Sequence, residues 1–97
     1  MQVRFAELAK AEFDEARAWY RDIRPELGRA FTAEVRTATH RLLHRPLMYP
    51  LEIGEIRRCV LRQFPYTLRY AVRGDWIVIV AVSHHHRAPD YWVDRVS

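Results

Sequence analysis

Phe64-Pro65-Tyr66-Thr67-Leu68-Arg69-Tyr70-Ala71-Val72, the turn Arg73-Gly74-Asp75, the apolar run Trp76-Ile77-Val78-Ile79-Val80-Ala81-Val82, and the tail Ser83-His84-His85-His86-Arg87-Ala88-Pro89-Asp90-Tyr91-Trp92 form the stretch that decides the fold. Phe64, Tyr66, Leu68 and Tyr70 recur at period two, which predicts a strand over 64–72. Trp76–His84 is the most β-prone segment, rich in Val and Ile. Its near-continuous apolarity predicts a central strand covered on both faces. Pro65 lacks an N–H and belongs near an edge or bulge. Pro89 permits a last helical turn through Tyr91-Trp92-Val93. The aromatics Phe64, Tyr66, Tyr70, Trp76, Tyr91 and Trp92 are expected to build and close a small core, with Tyr91-Trp92 pinning the tail against the sheet.

Upstream, Ile56–Arg62 reads as another strand. Pro46 and Pro50 open a loop over Arg45–Glu55. Before it, Leu27, Phe31, Val35, Ala38 and Leu42 form one apolar stripe, predicting a helix from Pro25 to His44, with proline tolerated in its first turn. Ala9, Phe13, Ala16, Tyr20 and Ile23 give a second stripe over 6–23, flanked by Leu8 and Trp19. Arg24-Pro25 separates the two, because the residue before proline is pushed out of the helical region. So short a connection predicts an antiparallel hairpin. Val3 and Phe5 alternate in a short first strand. The expected fold class is α+β: β-α-α-β-β-β, an antiparallel sheet with a helical hairpin on one face and a short C-terminal helical turn.

Ninety-seven residues, 49% hydrophobic and 12% aromatic, fit one domain over 1–97 with a modest core, and exclude a disordered chain. No apolar run is long enough to span a bilayer, and Met1–Phe5 has no signal-segment character. The single Cys59 forms no internal disulfide and suits a reducing compartment, so a cytoplasmic location is expected. The net charge is +4, and all but one of the sixteen basic residues are arginine, the exception being Lys10. Acids and bases balance up to Glu34. From Arg36 onward ten bases face five acids, which places the basic surface in the C-terminal two-thirds and suits a polyanion or an acidic protein partner.

Three groups of residues invite chemical readings. Arg57, Arg58 and Arg62 surround the 56–62 strand, where alternation puts Arg58 and Arg62 on one face; they read as solvated strand edges paired with Glu52 and Glu55, or as a phosphate clamp on the face away from the helices. Consecutive His84, His85 and His86 point alternately to opposite faces and cannot converge on one metal ion, and His40 with His44 has no third ligand at a familiar spacing. No metal or cofactor is expected. Histidine titrates near neutrality, so His84 or His85 can also serve in proton transfer.

In their order, F-P-Y-x3-Y, a turn, I-V-I-V-A-V and H-x2-R-x-P-x-Y-W resemble the RelE/ParE superfamily of toxins from bacterial type II toxin–antitoxin modules, over nearly the whole chain. The resemblance implies a cognate antitoxin as partner and two chemistries. In the ParE-like branch the toxin poisons DNA gyrase and catalyses nothing itself. In the RelE-like branch it is a ribosome-dependent mRNA endonuclease, for which Arg58, Arg62, His84, Arg87 and Tyr91 would be the catalytic set and Glu52 or Glu55 the base. That cleavage needs a base for the ribose 2′-hydroxyl, positive charge for the phosphorane and an acid for the leaving oxygen. Active ribonuclease relatives carry an arginine just before the L-x-Y of the 64–72 strand. Here Thr67 stands there, Arg69 shares its face, and the relatives' lysine-rich loop is missing. The departure tilts the expectation to the ParE-like branch. A small nucleic-acid-binding module is a third reading, which no RNP-type, zinc or helix-turn-helix signature supports.

Overall fold

The computed structural model describes Met1–Val96. Strand β1 (Gln2–Phe5) leads into helix α1 (Glu7–Ile23) and helix α2 (Pro25–His44). Four strands follow: β2 (Leu51–Ile53), β3 (Ile56–Val60), β4 (Tyr66–Arg73) and β5 (Trp76–His84), then a 3₁₀ turn at Val93–Arg95. The helices break where the sequence predicts. Arg24 is extended (φ −157°) because Pro25 follows, and it serves as the last cap of α1 and the first of α2. The hairpin closes tightly at Gly28, where an added Cβ would lie 2.9 Å from the Arg21 Cβ.

The sheet order is β1-β5-β4-β3-β2. Strands β2 to β5 form an antiparallel meander, with Gly54 and Gly74 supplying the positive φ of its two tight turns. The α+β architecture with its hairpin is as expected; β3 ends at Val60 rather than Arg62, β4 runs Tyr66–Arg73 rather than 64–72, and three larger details differ. β1 pairs with β5 in parallel, Val3 opposite Ile77, so the sheet is mixed. Parallel neighbours need a long crossover, and here everything between β1 and β5 supplies it; no local turn encodes that direction. The expected loop over 45–55 contains the short edge strand β2. The last helical turn lies at Val93–Arg95, beyond Tyr91-Trp92.

Two cores result. Between hairpin and sheet, Phe31 packs against Phe13, Tyr20, Phe64 and Tyr66 at centroid distances of 5.2–5.8 Å, above Leu68, Tyr70, Ile77 and Ile79. On the opposite face Ile56, Ala71, Val78, Val80 and Ala81 are covered by Trp92, Tyr91, Val93 and Val96 of the tail. That cover explains why β5 is apolar on both sides. Trp76 and Ile23, expected in the core, lie exposed at the ends of their elements, and the flanking Leu8 and Trp19 are exposed on α1. Among the described residues no helix is long and apolar enough to cross a membrane.

Candidate functional site

The tail returns across the end of β5 and meets α1 at one carboxylate. Glu12 sits in the α1 stripe, three residues after Ala9 and four before Ala16, so helical geometry aims it inward with them. β1 ends opposite Ile79, and β5 runs on past its partner. Glu12 Oε1 accepts the N–H of Val82 there at 2.9 Å. Arg95 donates to both its oxygens at 2.8 and 3.0 Å, and also to the Val80 carbonyl. Tyr91 O–H reaches Oε2 at 2.5 Å and Arg87 reaches it at 3.3 Å. Burial raises the Glu12 pKa, but Arg95, Tyr91 and the Val82 N–H pull harder, and the net position is below the ordinary glutamate value.

These contacts define what each predicted site residue can do. Tyr91 has one proton, and the 2.5 Å contact assigns it to the carboxylate. Ser83, 3.0 Å away, therefore donates its hydroxyl proton to the phenol oxygen. Burial and then the Glu12 bond raise the Tyr91 pKa, which moves it away from acid–base work at neutral pH. The Arg87 guanidinium lies 3.6 Å from the centroid of the Tyr91 ring while it contacts Glu12. His84 closes β5 on the helical side, edge-on to Tyr66 at 5.0 Å, and its Nδ1 accepts the His86 N–H. Burial first, then the charges of His86 and His85, lower its pKa and favour the neutral ring. His85 contacts the Thr67 hydroxyl through Nε2 at 3.1 Å. Among the described residues no three His, Cys, Asp or Glu side chains are grouped to hold a metal ion.

The structure brings His84, Arg87 and Tyr91 to one end of β5 but leaves the other two predicted residues elsewhere. Arg58 is exposed on β3, opposite Arg69, which is itself opposite Ala81. Arg62 lies past the end of β3, in the turn before Phe64, so the strand alternation that paired it with Arg58 does not extend to it. Arg57 points to the helical side and donates to the carbonyls of Leu47 and Tyr49. Arg69, on the Thr67 face, is 7% exposed. Its guanidinium is held by Glu52 at 2.8 and 3.2 Å and lies 5.3 Å from the Trp92 ring centroid. Glu55 pairs with Arg73. Both carboxylates named as a base are thus engaged by arginines.

Sequence reasoning sets Glu12 off the apolar stripe with Glu15, Arg17 and Arg21, and so misses it as the organising residue; the structure turns it inward against Val82 and Arg95. The available signal was an acid lying within an apolar helical stripe. Beside it a cleft of about 510 Å³ opens between α1 and the end of the sheet, lined by Glu15, Trp19, Tyr20, Tyr66, His84 and Arg87 among others.

Over residues 3–89 the chain matches a family described as the ParE toxin of type II toxin–antitoxin system, parDE. A solved structure titled "Chromosomal ParDE TA system from P. aeruginosa" is similar with a TM-score of 0.75 and 19% sequence identity, covering 87% of this chain and 95% of that one. Among curated proteins none matches.

Proposed function

The chain belongs to the ParE toxin family of type II toxin–antitoxin systems, and from that premise we propose that it acts by binding and poisoning DNA gyrase, catalyses no reaction itself, and is neutralised by a cognate antitoxin. The observation that carries the non-catalytic half of this reading is the state of the Thr67–Arg69 face. In-line attack on a phosphate needs positive charge waiting where the phosphorane develops, and removing one such donor typically costs ~10²–10³ in rate. Thr67 offers only a hydroxyl at that position. Arg69 beside it is neutralised by Glu52 and sealed under Trp92. The proton-transfer groups nearby are engaged as well, Tyr91 by Glu12 and His84 by the His86 N–H. Proton transfer without charge stabilisation leaves most of the barrier in place.

Controlled expression separates this from the endonuclease alternative. We expect induced DNA double-strand breaks and growth arrest while primer extension on ribosome-bound message shows no new ends. Codon-specific cuts that vanish in Arg58→Ala and His84→Ala would overturn the gyrase reading and establish the alternative.

A further inference from the structure

The charge count places the basic surface in the C-terminal two-thirds, but ion pairing neutralises part of it. Arg69 and Arg73 face Glu52 and Glu55, and Arg87 and Arg95 share Glu12. On the outer side of the helical hairpin the balance is reversed. Arg17 and Arg21 of α1 and Arg29 and Arg36 of α2 line one groove of about 600 Å³, whose remaining lining includes Gly28 and Ala33 and no carboxylate. The nearest acids reach these arginines only from the flanks. Asp14 lies 3.6 Å from Arg17 but is held at 2.7 Å by Lys10. Asp22 is 3.6 Å from Arg21 and Glu26 is 3.8 Å from Arg29, all with well-exposed side chains. Among the described residues Arg36 has no ion-pair partner. Exposed contacts of that length hold a guanidinium only weakly. The arginines of the groove are therefore available to an outside anion; on the sheet Arg69 and Arg73 are held by Glu52 and Glu55 and Arg57 by backbone carbonyls, while Arg58 stays exposed.

We propose that this groove seats an acidic helical segment of the neutralising antitoxin, an inference that rests on the toxin–antitoxin reading above. Two features favour a peptide over a nucleic-acid backbone. The space between the guanidiniums is floored by small, carbon-rich residues, and Gly28 lets the two helices close beneath it, so apolar side chains of a docked segment have somewhere to go; a sugar–phosphate chain brings none. Arg17 and Arg21 stand one turn apart on α1, matching carboxylates one turn apart on a facing helix. Arginine forks bind such carboxylates in a bidentate manner, and the groove then supplies both steering charge and an apolar seat.

The test is titration calorimetry of the purified protein with the purified product of the antitoxin reading frame adjacent to its gene, at about 50 mM and about 300 mM salt. The double variant Arg21→Glu, Arg29→Glu is expected to bind about tenfold or more weakly than the parent and to lose most of its salt dependence. A control pair with the same charge change away from the groove, Arg4→Glu with Arg45→Glu, should stay within about twofold. Circular dichroism melts verify that both variants fold. Equal affinity of parent and groove variant, or equal losses in groove and control variants, would remove the groove from the interface. A short DNA duplex that binds the parent and not the groove variant, while the antitoxin still binds both, would overturn the proposal in favour of nucleic acid. If the parent itself fails to bind the antitoxin, the toxin–antitoxin reading fails first and the groove assignment falls with it.

Discussion

Replacing Trp92 by alanine is expected to cost the folded state about 3–5 kcal/mol, read as a lowered midpoint in urea unfolding followed by circular dichroism. Trp92 is fully buried. Its ring covers Val80, Ala81 and their neighbours on the face away from the helices, and its indole N–H donates to the Pro89 carbonyl at 2.8 Å. It also roofs the Arg69–Glu52 pair. Truncation would open a cavity and admit water to that pair at once. A domain of this size has about 5–15 kcal/mol in total, so the loss is a large share of it. Trp92→Phe keeps most of the volume and should lose far less. An unchanged midpoint for Trp92→Ala would mean that the tail is not packed on the sheet in solution.

The second large effect is expected at Glu12. Glu12→Gln keeps the shape and removes the charge, leaving Arg95 and Arg87 with no carboxylate, only the Val80 carbonyl, the Tyr91 ring and one amide oxygen among them. Breaking such a largely buried pair by removing one partner typically costs about 3–5 kcal/mol. The linkage to pH has a definite sign. The folded-state pKa of Glu12 is lowered, so its contribution is fully present above the ordinary glutamate range and fades as the pH falls through the folded value. The parent should therefore lose stability on acidification below that range, and Glu12→Gln should show a flatter acid limb from a lower plateau. Parallel acid limbs in the two proteins would exclude Glu12 as the carboxylate responsible.

How legible each part was depended on how local its cause is. Arg24-Pro25 bounds both helices by backbone sterics within two residues, and the expected boundary is the observed one. Trp76–His84 declared itself by β-branched content and unbroken apolarity, and β5 spans those same residues. Gly74 fixed the turn before it. The pattern over 56–62 runs two residues past the observed strand, because Arg62 continues a pattern that hydrogen bonding does not. Trp76 reads as core and is exposed, because aromatic character does not say which end of a strand projects past the sheet. The site residues were legible as types and not as partners: His84, Arg87 and Tyr91 do converge, yet nothing along the chain links Tyr91 or Arg95 to a glutamate some eighty positions earlier.

The order of every element except β2, the helical hairpin, the α+β class and the family are legible in the sequence, since each follows from periodicity, breakers and a motif read within short windows. Tertiary structure alone decided the parallel pairing of β1 with β5, the sealing of Arg69 by Glu52 and Trp92, and the gathering of Arg87, Tyr91 and Arg95 on Glu12. It also decided which arginines are held by carboxylates, and it grouped four others along the outer groove of the hairpin. The physical reason is the same in each case. A charge or an edge acquires its role from the group that folding sets within about 3 Å of it, and that group is chosen by the packing of the whole chain.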